Sequence, residues 1–337
     1  MRKCVICESE LSGRQRKLCG DAKCKNAYQA LKQKKHRSRK NLQNRNGQAL
    51  RLQGEKLNIT SPPIRYFGGK WRIASWIMEQ FPPHTTYVEP FCGGASILFR
   101  KQPSQYEVLN DLNSNIVTFF DVLRSRPQDL INVIQWTPYS REEHRKAHFD
   151  VPINHPDRPL EIARRFYVRS RQSFGSGEGQ YTTGWRYQKN HRRGLSCVEE
   201  FYRSEQLYLA AERLKSVQIE CDDAIRCIQR FDSDETLFYV DPPYVFSTRH
   251  SNEHDYAHEL TDNQHVELAD VLKSVQGMVL LSGYSSPLYE ELYEGWRCIT
   301  KGTRTNGNNE ATECLWISPN ADDVNRLPIF SGTVENE

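Results

Sequence analysis

The chain has 337 residues, is 37% hydrophobic and carries a formal net charge of +4, with a mean hydropathy of −0.74. That length exceeds one small domain and leaves room for a full-sized core plus an accessory module. No run approaches the ~18 apolar residues of a membrane span, and the opening MRKCVICESE lacks the apolar stretch of a secretory signal, so a non-membrane, cytoplasmic protein is expected.

Four of the ten cysteines crowd the first 24 residues as Cys4-x2-Cys7-x11-Cys19-x4-Cys24. Two close pairs across a short loop match a closed tetrathiolate zinc site, and a module this small would need the metal in order to fold. Residues 1–40 are therefore expected to form a zinc-finger-like module, with a basic helical stretch from Lys23 to Lys40. Residues 41–62 are polar, lack a strong periodic apolar face and read as a linker. Charge is unevenly spread: residues 14–51 are rich in Lys and Arg with Asp21 as the only acid, and between Arg164 and Arg193 the only acid is Glu178. Two positive stretches on a near-neutral body point to a polyanionic partner.

From Pro63 onward, strand and helix signals alternate. Strands are expected over Thr86–Glu89, Glu107–Asn110, Val217–Glu220, Thr236–Val240, Met278–Ser282, Arg297–Thr300 and Glu313–Ile317. Helices are expected over Gly94–Lys101, Asn113–Arg124, Asp223–Gln229, Asp262–Lys273 and Pro287–Tyr293. Such alternation is that of a doubly wound α/β sheet. Residues 127–215 look mainly helical around a Gly-rich loop from Gly175 to Gly194. Residues 126–205 thus read as an insertion in a core made of 63–125 and 206–320, and 321–337 as a tail.

Two strand ends carry chemistry. In Phe238-Tyr-Val-Asp-Pro-Pro-Tyr244 an apolar strand ends in an acid, two prolines and an aromatic. Ligands of open α/β sheets bind beyond the carboxyl ends of the strands, which places Asp241 in the site. A carboxylate, a rigid proline carbonyl and a flat ring suit a planar heterocycle bearing an NH2 group. In Tyr87-Val-Glu-Pro-Phe-Cys-Gly-Gly-Ala-Ser96 a strand runs into adjacent glycines, which let backbone approach a ligand closely. The spaced G-x-G-x-x-G of a dinucleotide binder is absent. Asp111 ends the next strand 18 residues after Gly93, an interval at which an acid takes ribose hydroxyls. A glycine turn plus a ribose acid without a phosphate cradle fits a nucleoside cofactor such as S-adenosylmethionine. Ile64-Arg-Tyr-Phe-Gly-Gly-Lys-Trp71 lacks the spacing of a phosphate loop, which disfavours a kinase or ATPase.

The order Tyr66-Phe-Gly-Gly-Lys70, Glu89-Pro-Phe-Cys-Gly-Gly94, Asn110-Asp-Leu-Asn113, Asp241-Pro-Pro-Tyr244 resembles the Dam-type DNA adenine methyltransferases, especially those of bacteriophages and prophages. The resemblance spans residues 62–318, including Ala163–Gly175, Leu280–Tyr284 and Glu313–Ile317. It implies a Rossmann-like methyltransferase sheet with an inserted helical target-recognition domain, here preceded by the zinc module. It also implies S-adenosylmethionine as cofactor, double-stranded DNA as partner and transfer to adenine N6. Tyr66 and Lys70 would lie against the cofactor and the mouth of the site. Glu89, Pro90, Phe91 and Gly93 would line the methionine side, Asp111 would bind the ribose, and Asp223 (or its neighbour Asp222) would reach the adenine of the cofactor. Asp241, Pro242 and Tyr244 would hold the target base.

The amine nitrogen of adenine is a poor nucleophile because its lone pair is delocalised. Asp241 is expected to accept one N–H bond and the Pro242 carbonyl the other, with Tyr244 stacking on a base flipped from the duplex. Basic and aromatic residues interleave from Arg164 to Arg193, and Arg169, Arg171, Gln172, Ser173, Trp185 and Arg186 are the candidate DNA contacts. Two alternatives stand beside this reading, a cytosine-N4 methyltransferase and a catalytically inactive zinc-containing DNA-binding protein. Asp241 and the intact Asp-Pro-Pro-Tyr argue against them. A ring-carbon cytosine methyltransferase would need a Pro-Cys nucleophile, and the chain has no such dipeptide. A monomer is expected.

Overall fold

A computed structural model describes residues 22–23, 57–174, 184–189, 195–248, 258–304 and 310–325. The chain divides into a unit of Met1–Gly54 and a unit of Glu55–Glu337. Cys4, Cys7, Cys19 and Cys24, and with them the expected zinc module, lie outside the described residues. Among the described residues no helix is long and apolar enough to cross a membrane.

Among the described residues, the second unit has seven strands: β1 (Thr86–Glu89), β2 (Tyr106–Asn110), β3 (Val217–Glu220), β4 (Thr236–Val240), β5 (Met278–Gly283), β6 (Arg297–Arg304) and β7 (Glu310–Ile317). They form one sheet in the order β3-β2-β1-β4-β5-β7-β6. Neighbours from β3 to β5 are parallel, while β7 runs antiparallel to both β5 and β6. Every expected strand is present, with β6 and β7 extended into a longer hairpin.

The central strands read as unbroken apolar runs because both sheet faces are covered. Leu237 and Tyr239 of β4 join one core and Phe238 and Val240 the other; Tyr87 and Val88 of β1, and Leu280 and Leu281 of β5, divide the same way. On the first face pack α1 (Ala74–Met78), α2 (Ser114–Ser125), α3 (Pro127–Gln135), α4 (Arg141–Ala147), α5 (Arg158–Gln172), α6 (Cys197–Phe201), α7 (Ser204–Leu214) and α11 (Pro319–Asn325). On the second lie α8 (Ala224–Arg230), α9 (Asp262–Ser274) and α10 (Pro287–Leu292). The helices between β2 and β3 share their core with the sheet through Phe119, which meets Phe166 at 5.6 Å and Tyr167 at 6.3 Å.

Helix starts follow local chemistry. Asn113 caps α2, Asp223 caps α8, Thr261 and Gln264 form a capping box on α9, and Ser286 before Pro287 caps α10. One expected helix does not form. Residues 94–101 make successive turns. The Leu98 N–H, which a helix would give to the Gly94 carbonyl, instead donates to Glu89 Oε1 at 2.8 Å. Ala95 also takes a φ of +49°, outside the right-handed helical region.

The approach to Tyr66 is tied down from the helical side. Gln206 Oε1 accepts the Thr60 N–H at 2.9 Å. Ser170 Oγ accepts the Arg65 N–H at 2.7 Å and donates to the Arg65 carbonyl at 2.8 Å. Helices α5 and α7 thereby fix the segment that delivers Tyr66 and Lys70.

Candidate active site

Strands β2 and β3 lie on one side of β1, and β4 and β5 on the other. The winding therefore reverses between β1 and β4, where the loops leaving the carboxyl ends splay apart and open a crevice. That crevice is a cavity of about 440 Å³. Every residue expected at the cofactor lines it: Tyr66, Lys70, Glu89, Pro90, Phe91, Gly93, Asp111 and Asp223. Asp241 lines it too.

The glycine turn is shaped by Tyr66. Gly93 has φ +45°, and a Cβ there would lie 2.7 Å from Tyr66 Cδ1; at Gly94 it would lie 3.1 Å from Tyr66 Cβ. The close approach these glycines permit is thus to the Tyr66 side chain, which forms the adjoining wall. Asp111 closes the turn from β2: Oδ2 accepts the Gly93 N–H at 2.9 Å and Oδ1 the Asn113 N–H at 2.9 Å. These two bonds orient the Asp111 carboxylate at the cavity it lines. Asp222 is engaged elsewhere, pairing with Arg226 at 2.6 Å and Arg230 at 2.8 Å, whereas Asp223 caps α8 and faces the cavity.

Glu89 is fully buried, its Oε1 accepting from Tyr87 Oη and from Leu98 N–H, each at 2.8 Å. Burial pushes its carboxyl up to about 8. Burial also raises the Cys92 thiol well above its ordinary value, so this cysteine is an inert wall.

Opposite the glycine turn lies an ionic cluster. Lys70 Nζ is 2.8 Å from Asp241 Oδ1 and 3.8 Å from Glu313 Oε1. It also donates to the Gly68 carbonyl at 2.7 Å and sits 4.9 Å from the Tyr244 ring centroid. Burial works against the Lys70 charge, but the Asp241 and Glu313 carboxylates outweigh it and hold the ammonium above its ordinary value. Burial raises both carboxyls, with Lys70 opposing. Asp241 is paired, yet it stands on the same cavity as Gly93.

Of the residues expected to hold a base, Asp241 lines the cavity, as does Pro243 beside Pro242, while Tyr244 does not. Tyr244 is buried, donates its hydroxyl to Glu313, and meets Tyr284 edge-on at 4.7 Å. With Lys70 over its ring, Tyr244 belongs to the ionic cluster and presents no open stacking face.

The candidate DNA contacts separate by exposure. Arg171, Gln172 and Ser173 are buried. Arg171 Nη2 donates to the Pro62 and Pro63 carbonyls at 2.5 and 2.9 Å, Gln172 Nε2 to the Pro138 carbonyl at 3.1 Å, and Ser173 Oγ pairs with His144 Nε2 at 2.9 Å. Their polar groups therefore brace the fold rather than face outward. Arg169 donates to the Ala147 carbonyl at 2.7 Å and Arg186 pairs with Glu200 at 2.8 Å. Trp185 stacks on Tyr187 at 6.0 Å with the Arg141 guanidinium 5.0 Å from its ring, beside the exposed Phe174.

Sequence reasoning missed Glu313, Tyr239 and the wall formed by His258, Glu259, Gln264 and Glu267. For Glu313 a signal existed: it is the one acid leading the otherwise apolar Cys-Leu-Trp-Ile run of β7.

A mostly parallel sheet whose glycine turn and strand-end acids Asp111 and Asp241 gather on one crevice defines a methyltransferase catalytic domain. Residues 66–306 match the family described as D12 class N6 adenine-specific DNA methyltransferase, and the chain belongs to it. The Type II methyltransferase M1.LlaDCHI of Lactococcus lactis subsp. cremoris is 28% identical over 273 residues, 76% of this chain and 92% of that one. The DNA adenine methylases of Vibrio cholerae O395 and Escherichia coli K12 are 24% and 23% identical over 261 and 267 residues, each match covering 74% of this chain and 90% of the other. The chain is thus an S-adenosylmethionine-dependent DNA adenine-N6 methyltransferase.

The cavity suits that cofactor. Asp111, Asp223, Glu259 and Glu267 line it, with Asp241 paired to Lys70, and an acid-rich wall favours a cationic nucleoside.

Proposed function

We propose that Asp241 and the Pro242 carbonyl hold the exocyclic amine of a flipped-out adenine at the mouth of the cavity, in a site-specific reaction on double-stranded DNA. The observation that carries this reading is the position of Asp241: it ends β4 at the switch point, on the same cavity as Gly93 and Asp111. Bound S-adenosylmethionine supplies an electrophilic methyl group on a sulfonium. Asp111 takes the ribose hydroxyls, Asp223 the adenine edge, and Glu89, Pro90, Phe91 and Gly93 line the methionine side. Two acceptors on the two N–H bonds of the target amine turn its lone pair toward the methyl group. Lys70 holds Asp241 in place, and Tyr244 backs the pocket. Phe174, Trp185 and Tyr187, with Arg169 and Arg186, form the surface offered to DNA, while Arg171, Gln172 and Ser173 support it from below.

A duplex carrying 2-aminopurine at the target position tests the extrusion. Its fluorescence is expected to rise when the protein and cofactor bind, since an unstacked base is no longer quenched. Methylation of the matching adenine duplex, with no such rise when the 2-aminopurine duplex is bound, would contradict flipping.

The spacing of Cys4, Cys7, Cys19 and Cys24 supports a structural zinc ion in the amino-terminal unit, with the basic stretch that follows as a DNA-backbone contact. Purified full-length protein is expected to carry one zinc per chain. Metal-free protein of undiminished DNA affinity would contradict this.

A further inference from the structure

We propose that Glu313 is a positioning residue for methyl transfer, fixing Tyr244 and sharing the Lys70 ammonium so that Asp241 keeps an oxygen for the incoming amine. Because β7 is antiparallel to β5, its early residues lie at the carboxyl edge of the parallel strands; the pair Gly283–Cys314 marks that edge. Glu313 is thereby carried to the end of the sheet where Asp241 leaves β4. It is 4% exposed and accepts the Tyr244 hydroxyl.

Geometry at Lys70 explains what the second carboxylate does. An ammonium has three N–H donors. The Gly68 carbonyl at 2.7 Å takes one of them, and Asp241 Oδ1 forms an ion pair with the same nitrogen at 2.8 Å. Glu313, at 3.8 Å, draws the remaining positive charge toward β7. Without it, the ammonium could swing fully onto Asp241 and occupy both carboxylate oxygens. A second buried carboxylate beside the first is costly and would not be needed merely to fill space, since Gln has the same shape.

The groups facing Glu313 come from several elements. Lys70 approaches from the loop before α1, Tyr239 and Asp241 from β4, Tyr244 from the turn beyond it and Tyr284 from the end of β5. Cys314 adjoins it on β7. Burial raises the Glu313 carboxyl, as does Asp241, while Lys70 lowers it. Neutralising Glu313 leaves the Lys70 ammonium, which opposes the burial of Asp241, to Asp241 alone, so Asp241 would ionise at lower pH.

This inference rests on the reading of Asp241 as the group that holds the amine. The full-length chain and its Glu313→Gln, Glu313→Asp and Asp241→Asn variants would be compared by kcat and KM across pH, with cofactor binding measured by calorimetry. In Glu313→Gln, whose amide oxygen still accepts the Tyr244 hydroxyl but which leaves the Lys70 ammonium to Asp241 alone, kcat is expected to fall on the order of tenfold. KM and cofactor affinity are expected to stay within about twofold, and the acid limb of kcat to move to lower pH. Glu313→Asp keeps the charge and is expected to keep the limb near its original position. Parent-like kcat and an unmoved limb in Glu313→Gln, with Asp241→Asn inactive, would overturn the role of Glu313 alone. An active Asp241→Asn would overturn the reading of Asp241 and this inference with it. Should Glu313→Gln fail to fold, Tyr244→Phe removes the hydroxyl that donates to Glu313; unchanged kcat in that variant would equally overturn the proposal.

Discussion

Lys70 and Asp241, which meet at 2.8 Å, join the segment before α1 to the carboxyl end of β4. The ammonium is the main influence opposing the burial that raises the Asp241 carboxyl. Lys70→Met would leave Asp241 and Glu313 buried without a cation, so both carboxyls would hold their protons to higher pH. The acid limb of kcat should therefore move upward, opposite to the shift expected from Glu313→Gln, and kcat at neutral pH should fall by about a hundredfold. A pH–rate profile checks this. An unmoved limb would show that Lys70 does not govern Asp241.

Glu89 gives the fold its own pH dependence. Its folded value of about 8 lies above the ordinary 4.5. A group raised on folding stabilises the native state below the unfolded value, and that stability is lost as pH rises through the folded value. Thermal denaturation should show the parent losing on the order of a few kcal/mol between pH 5 and about 8.5. Glu89→Gln should lose much less. Equal losses in both proteins would assign the dependence to another group.

Gly93→Ala tests the turn. The added Cβ would lie 2.7 Å from Tyr66 at a φ of +45°, so both backbone strain and a displaced ring follow. Stability should fall by about 1–3 kcal/mol, and cofactor affinity by about tenfold as the Tyr66 wall shifts. Calorimetric titration and thermal melting measure both. Parent-like cofactor binding would remove the turn from the site.

A second ionic group, at the amino-terminal edge of the sheet, is structural. Glu107 on β2 is met by Arg213 at 2.5 and 2.8 Å and by Lys101 at 2.6 Å. Burial would raise its carboxyl, but Lys101 and Arg213 hold it down to about 2. Its contribution is thus present above the ordinary 4.5 and lost as pH falls toward about 2. Arg213→Met should destabilise by about 3–5 kcal/mol, because the buried carboxylate loses its bidentate partner. Activity per folded molecule should be unchanged. Urea denaturation with parent-like midpoint would contradict this.

Much of this architecture could be read locally. The central strands are mostly apolar, and the acids at their carboxyl ends, Glu89, Asp111 and Asp241, stand out against those runs. What failed depended on partners that the local sequence pattern does not show. Arg171 looks like a free basic residue in a basic stretch, but its guanidinium is taken by carbonyls 109 and 108 residues earlier. Gly94–Lys101 has an apolar spacing suited to a helix, yet Glu89 captures the Leu98 N–H that a helix needs. Glu313 reads as a strand residue until the antiparallel course of β7 brings it to Tyr244.

The role of Asp241 is tested most directly by incubating the full-length chain and its Asp241→Asn variant with DNA and methyl-labelled cofactor, then digesting to nucleosides. The parent should yield labelled N6-methyldeoxyadenosine, and the variant should lose product by at least about a hundredfold while still binding cofactor. Labelled N6-methyldeoxyadenosine from Asp241→Asn at a rate near the parent's, or label on cytosine from the parent, would contradict the account.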